Sequence, residues 1–315
     1  MKRTFFVALV ALSSVLLAPA GVVAQEVRGD SLFTVEKYLD MEQAGDPQIS
    51  PDGSQIIYTR QRVDRMTDRW QPELWIMAAD GSRNRFLVRG SQARWSPDGT
   101  RILYMTTPAG ADTLARPQLF VRWMDAEGAI SQITHVTQSL GDAQWSPDGR
   151  SIGFTMFVPS RSDLRIDLPE APRGARWTQA PRYVDRMHYR FDRRGFLETG
   201  DRHIFVVPAD GGTPRQITKG RWSVGYSMEG PAGGAGWDWS PDGRTIVFDA
   251  RDTTSAANLA YRAGYIYSVD ANSGALRRIT AQRGPWSSPV VSPDGRRVAF
   301  RGFPGQRVRY GASDL

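Results

Sequence analysis

One tetrapeptide governs what this chain can fold into. Ser-Pro-Asp-Gly occurs five times, opening at Ser50, Ser96, Ser146, Ser240 and Ser292 and closing at Gly53, Gly99, Gly149, Gly243 and Gly295. Each copy has the chemistry of a tight turn. The serine hydroxyl can bond nearby backbone, proline fixes φ, aspartate tolerates the third position, and glycine supplies a positive φ at the fourth. A strand is therefore expected to enter and leave every copy.

The flanks agree. An apolar residue precedes each turn (Ile49, Trp95, Trp145, Trp239, Val291), and the run that follows aligns residue for residue. Ile56, Ile102, Ile152, Ile246 and Val298 share one position, and Tyr58, Tyr104, Phe154, Phe248 and Phe300 fall two residues later, the period of one strand face. Between them stand Ile57, Leu103, Gly153, Val247 and Ala299. Apolar or small residues on both faces imply a strand covered from both sides, as when one sheet is stacked between two others. A second marker, a hairpin turn built on Asp with Gly, recurs at 79–81, 125–128, 209–212 and 270–274. Strand-like runs precede it, and Phe86-Leu87, Ile133-Thr134, Ile217-Thr218 and Ile279-Thr280 follow it. Each repeat thus supplies four short strands.

Successive turn serines lie 46, 50, 94 and 52 residues apart. The long interval is one repeat, not two: from turn serine to hairpin aspartate is 30, 29 and 30 residues elsewhere but 64 in the third repeat. An insertion over 159–202, between that repeat's second and third strands, accounts for the excess. Four-stranded units at a period of about 40 to 50 residues mark an all-β protein, a β-propeller whose blades stack radially. Four complete repeats plus a partial fifth are expected over 48–315. The register also places Leu315, 23 residues after Ser292, where the third strand of a fifth blade should begin, since Leu74 and Leu119 follow their turn serines by 24 and 23. The chain is expected to stop inside a blade.

Residues 1–24 have a basic start (Lys2, Arg3), an apolar run from Phe5 and small residues before Gln25, the pattern of a secretory signal peptide. A lead-in over 25–47 follows, with a helix expected between Ser31 and Gly45, capped by Thr34 and packed on the propeller's rim. An exported chain is periplasmic or secreted. No other stretch is apolar for long enough to cross a bilayer, so no membrane partner is expected once the signal is cleaved. There are no cysteines, which excludes disulfides, thiol catalysis and thiolate metal sites. The formal charge is +7, but the arginines are interspersed with acids, the pattern of a solvated surface rather than a nucleic-acid footprint. His135, His188 and His203 lack metal-ligand spacing and are expected at the surface or in loops, so neither metal nor cofactor is expected.

The insertion is rich in proline and arginine. Within it Arg182, Tyr183, Arg186, Tyr189 and Arg190 are the candidate substrate-binding residues, because forked guanidinium donors suit a carboxylate. A second glycine-rich stretch, 230–236, precedes Trp237-Asp238-Trp239; no helix follows it, so it lacks the setting of a phosphate cradle.

An exported chain with a helical lead-in, Ser-Pro-Asp-Gly repeats and Asp-Gly turns followed by Gln-Ile-Thr resembles the N-terminal propeller of the prolyl oligopeptidase (S9) serine peptidases. The acylaminoacyl-peptidase and dipeptidyl-peptidase branch fits best, on the opening Asp46-Pro47-Gln48-Ile49 and on Tyr189-Arg190-Phe191-Asp192 with Arg202-His203-Ile204-Phe205. The resemblance implies a propeller that caps an α/β-hydrolase domain and admits short peptides to a Ser, Asp and His triad. This chain has no Gly-x-Ser-x-Gly, so no catalytic residue carries over and the chain alone should be inactive. It also has no Glu-Glu pair of the kind that binds the substrate amine in dipeptidyl peptidases. Periplasmic TolB-like propellers share the Ser-Pro-Asp-Gly repeat, and an interaction module of that type is the alternative expectation.

Overall fold

The computed structural model describes residues 33–110, 115–160, 169–178, 181–184, 189–192, 195–225, 236–252 and 264–305. The expected signal segment at 1–24, Arg186, His188 and the chain beyond 305 lie outside them. The described residues fall into two units, up to Met41 and from Glu42 onward. In the first, helix α1 (Val35–Leu39) is capped by Thr34, whose Oγ1 accepts the Lys37 N–H at 3.3 Å. It is shorter than the sequence suggests, because residues from Gln43 onward belong to a strand of the second unit.

That unit is a β-propeller of antiparallel sheets in which neighbouring strands follow chain order. The first blade is β1 (Gln43–Ile49), β2 (Gln55–Asp64), β3 (Arg69–Ala78) and β4 (Arg85–Arg89). The second is β5 (Ser91–Trp95), β6 (Arg101–Thr106), β7 (Gln118–Trp123) and β8 (Ile130–Gln132). The third begins with β9 (Leu140–Trp145) and β10 (Ser151–Pro159). A small hairpin of β11 (Arg190–Phe191) and β12 (Gly195–Phe196) intervenes before its β13 (Gly200–Pro208) and β14 (Arg215–Gln216). In the fourth, β15 (Trp222–Val224) and β16 (Trp237–Trp239) both pair with β17 (Thr245–Asp252), followed by β18 (Tyr265–Asp270) and β19 (Leu276–Arg278). The described part of the fifth is β20 (Ser287–Val291) and β21 (Val298–Arg301). β10 pairs with β13 without interruption from Ser151↔Pro208 to Pro159↔Gly200, so the third-blade excursion occupies 160–199.

The five Ser-Pro-Asp-Gly turns are chemically identical. In each, the glycine N–H donates to the serine carbonyl at 2.8–2.9 Å, and glycine φ lies between 67° and 74°, where a side chain costs about 1–2 kcal/mol. The serine hydroxyl donates to the turn aspartate at 2.5–2.6 Å. Its oxygen also accepts the N–H of the residue five positions on, at the start of the following strand or just before it, at 2.9 Å. The aspartate in turn accepts the N–H two residues on, at 3.0–3.1 Å. These donors, the serine hydroxyl first, hold each aspartate below its ordinary range, Asp52 at about 2. The turns also stack: a Cβ built on Gly99, Gly149, Gly243 or Gly295 would lie 3.4–3.8 Å from the turn proline of the preceding blade, Pro51, Pro97, Pro147 or Pro241.

Apolar faces close the gaps between blades. Ile57, Leu74 and Ile76 of the first blade meet Ala93, Ile102 and Tyr104 of the second. Leu103, Leu119 and Val121 meet Trp145, Ile152 and Phe154 of the third, and Ile204 and Ile217 meet Trp237, Ile246 and Phe248 of the fourth. The middle residue of the second strand, Ile57 in the first blade and Leu103 in the second, therefore faces the next blade, while the residues on either side of it in blades two to four face the preceding one. Gly153 is small for this reason: a Cβ there would stand 2.7 Å from the Trp237 ring. Tryptophan adds polar ties, since Trp95 Nε1 donates to the Gln48 carbonyl at 3.2 Å and Trp145 Nε1 to the Arg94 carbonyl at 3.0 Å, each one blade back. The threonine of the Ile-Thr pairs also has a defined task. Thr134, Thr218 and Thr280 Oγ1 accept the N–H of Leu119, Ile204 and Ile266 on the adjacent third strand at 2.9–3.1 Å.

Ser96 is fully buried, and its hydroxyl is the acceptor for the Arg101 N–H. Ser96→Ala leaves that donor orphaned and should cost about 1–3 kcal/mol in urea unfolding. Ser292→Ala, at a partly exposed site in the last described blade, should cost less.

Candidate functional site

Each first strand runs into its Ser-Pro-Asp-Gly turn, so the start of that strand lies at the opposite end of the blade. There β1, β5, β9 and β20 each carry a bulge, two residues standing opposite Tyr58, Tyr104, Phe154 or Phe300. The bulge residue is left-handed every time: Asp46 (φ 50°), Gln92 (φ 55°), Asp142 (φ 51°) and Ser288 (φ 53°), four residues before the turn serine. In the fourth blade the same place is the break between Val224 and Trp237, where Gly236 (φ 68°) takes the left-handed position. Bulges re-aim side chains and interrupt ladders, and this end of the blades is also where the 160–199 excursion departs.

Polar side chains gather at this end. Arg94 Nη1 donates to both oxygens of Asp46, at 3.1 and 2.9 Å, tying the second blade to the first. Asp142 Oδ2 accepts from Thr155 Oγ1 at 3.1 Å and from Arg202 Nη1 at 3.3 Å. The Arg202 N–H donates to Ser223 Oγ at 3.1 Å, and Ser223 Oγ donates to the buried Asp201 at 3.1 Å, joining the third and fourth blades. His203 corrects the expectation of a surface histidine. It is buried in β13, with Nδ1 3.3 Å from Thr218 Oγ1 and its ring edge-on to Trp222 at 5.4 Å, and burial lowers its pKa. His135 is exposed, as expected.

Asp249 stands apart. It occupies the strand position of Thr59, Met105 and Thr155 and is buried beneath the break in the first strand of its blade. Its N–H donates to the Gly236 carbonyl at 2.9 Å and its carbonyl accepts the Gly225 N–H at 3.1 Å. Its Oδ1 has no hydrogen-bond partner among the described residues. Burial pushes its carboxyl up to about 7, against the opposing pull of Arg251.

Of the residues singled out from the sequence, the structure brings some together. Arg182 lies over the Phe196 ring at 4.3 Å, and Tyr189 packs on the same ring at 6.1 Å. Arg190 pairs with Phe196 in the hairpin, Tyr183 is about half exposed, and Arg186 lies outside the described residues. The Asp142, Arg202, Ser223 and Asp201 network escaped sequence reasoning. The one available signal was the aspartate four residues before the turn serine in both the first and third repeats. Among the described residues no cluster of three or more His, Asp or Glu side chains is arranged to hold a metal. The arrangement can orient and bind polar groups, and the described residues contain no nucleophile elbow.

Asp249 gives a test with a fixed sign. Its folded pKa is raised, so its contribution is complete below the unfolded value of about 4 and is lost as pH rises through about 7. Asp249→Asn should therefore match the wild type near pH 4 and be the more stable protein at pH 8, by on the order of a few kcal/mol at most, in paired thermal melts.

Comparison with known proteins agrees with this architecture. Residues 176–301 match the dipeptidyl peptidase IV (DPP IV) N-terminal region. Dipeptidyl-peptidase 5 of Porphyromonas endodontalis is 24% identical across 95% of this chain, which spans 43% of that protein. Dipeptidyl-peptidase 5 of Porphyromonas gingivalis is 27% identical across 85% of this chain and 38% of that protein. The chain thus spans less than half the length of these relatives. Acylaminoacyl peptidase of Pyrococcus horikoshii shares the fold, with a TM-score of 0.61 at 17% identity over 86% of this chain and 37% of that one. The repeats and the blade geometry make the chain a β-propeller, and these likenesses make it similar to the N-terminal propellers of the prolyl oligopeptidase (S9) peptidases.

Proposed function

We propose that this propeller controls access of short peptides to an α/β-hydrolase domain in the same protein, an exported serine peptidase. The observation that carries the proposal is the match to the dipeptidyl peptidase N-terminal region over blades three to five, in relatives more than twice as long as the matched chain. Stacked blades form a wall that a bulky folded chain cannot thread, while an extended peptide can pass a narrow opening. The third-blade excursion supports a role in selection, because it leaves the same blade end that carries the bulges and the Asp142 network. Arg182, Tyr183, Arg186, Tyr189 and Arg190 are the proposed peptide-facing residues of that excursion. Export follows from the signal segment at 1–24, and no helix among the described residues is long and apolar enough to cross a membrane.

The test uses the full-length enzyme. Replacing 169–198 with a short Gly-Ser linker should raise kcat/KM for long unstructured peptides relative to a tripeptide reporter. An unchanged ratio across peptide lengths would contradict a selecting role for the excursion.

A further inference from the structure

Asp-Gly is a chemically labile pair, because glycine places no side chain beside its nitrogen and that nitrogen can close on the preceding carboxyl group. The pair occurs seven times, at Asp52, Asp80, Asp98, Asp148, Asp210, Asp242 and Asp294. All seven glycine N–H groups donate to the carbonyl three residues back, at 2.8–3.0 Å, so the backbone bond does not separate them. The side chains do. Six carboxylates accept the N–H two residues on, from Ser54, Ser82, Thr100, Arg150, Arg244 or Arg296, at 2.9–3.1 Å. The five in Ser-Pro-Asp-Gly turns also accept the serine hydroxyl at 2.5–2.6 Å. A serine hydroxyl is the first of several causes that hold all six below the ordinary carboxylate range, so the neutral acid, the form that can lose water, is scarce there.

Asp210, in the connection between β13 and β14, has no such tether. Its side chain is 93% exposed, and its contact among the described residues is with Arg101 Nη1 at 3.6 Å, a surface pair that restrains it little. Arg101 is held without it, between the Trp123 and Trp145 rings at 5.0 and 4.9 Å and by an Nη2 bond to the Gly149 carbonyl at 3.1 Å. Two glycines follow, at φ 96° and 136°, and a Cβ at Gly211 would meet nothing within 4 Å. The β13–β14 ladder ends at Val206↔Arg215, so a longer main chain at Asp210 disturbs no cross-strand pair. We propose that Asp210–Gly211 is a modification site, where the folded chain converts to an isoaspartyl linkage while the six tethered pairs resist. The Gly211 nitrogen attacks Asp210 Cγ; the Cγ–N bond forms, the Cγ–OH bond breaks, and the hydroxyl leaves with the amide proton as water. Water then opens the succinimide at the Asp210 main-chain carbonyl: the C–N bond there breaks, the nitrogen regains a proton, and the main chain runs through Cγ beside a new carboxylate. The reaction consumes no other reactant and is independent of the gating function.

The 315-residue chain is aged in mildly acidic buffer, folded and in urea, and isoaspartate is located by peptide mapping with electron-transfer fragmentation, which separates isomers of equal mass. In the folded chain Asp210 should convert about tenfold faster than Asp98, whose carboxylate must first give up charge-assisted hydrogen bonds. In urea the two rates should converge. Ser292→Ala, which removes the hydroxyl tether at an exposed turn, should speed conversion at Asp294 severalfold and leave Asp210 unchanged. Equal rates at Asp210 and Asp98 in the folded chain, or a fastest site other than Asp210, would overturn the proposal. A tenfold excess at Asp210 that persists in urea would place the cause in the local sequence and overturn the role of the tethers, as would an Asp294 rate unmoved by Ser292→Ala. The comparison on the unaltered chain decides the matter even if the serine variant does not fold.

Discussion

A four-stranded sheet with Ile, Leu, Tyr or Phe on both faces cannot stand alone in water. Leaving one such face exposed forfeits about 25 cal/mol for each Å² of apolar area, and a single small sheet has no other core to offset the loss. The second strands of blades two to four bury both faces, with Ile102, Leu103 and Tyr104 at 1% exposure or less, so each blade must have two neighbours. Radial stacking satisfies this condition, and the rest of the molecule serves to keep the stack in register. The stacked turn glycines and prolines align one end, and the tryptophan indoles reach back to carbonyls of the blade before. Gly153 shows the tolerance of the packing, for its missing side chain is the space that the Trp237 ring occupies.

The two ends of the blades consequently diverge. At the Ser-Pro-Asp-Gly end one hydrogen-bond pattern recurs five times and leaves little room for variation. The other end carries the bulges, the third-blade excursion, the interrupted first strand of blade four and the ion pairs Asp46–Arg94 and Asp142–Arg202. Function in repeat folds gathers where a rigid frame tolerates irregular connections, and here the frame and the irregularity lie at opposite ends of the same strands. The bulge is the common device, since a point where the ladder is already broken accepts extra chain at little cost, as it does between Val224 and Trp237.

Much of the frame was legible in the sequence because it repeats. The turn tetrapeptide, the aligned Ile and aromatic pair and the Ile-Thr pairs each recur at a fixed register, and each proves to have one physical task. The bulges were not legible, because the left-handed position is filled by Asp46, Gln92, Asp142, Gly236 and Ser288, residues that share a backbone angle but no single side chain. His203 was misread for a related reason: its strand is buried by a neighbouring blade, and the ring partner Trp222 comes from the next repeat. The contact of the Arg182 guanidinium with the Phe196 ring was not legible either, because it is set by a hairpin whose pairing the composition did not reveal. Asp249 illustrates the same limit, since its burial depends on Gly236, thirteen residues away, and on a break that no residue type announces.

The central proposal is that this propeller serves a serine hydrolase domain, and chemistry can test it without a substrate. The whole protein containing residues 1–315 is treated with a fluorophosphonate probe, and the labelled serine is located by peptide mass mapping. The account predicts a single labelled serine, outside residues 1–315. An unlabelled protein, or a label on a propeller serine such as Ser223, would contradict it.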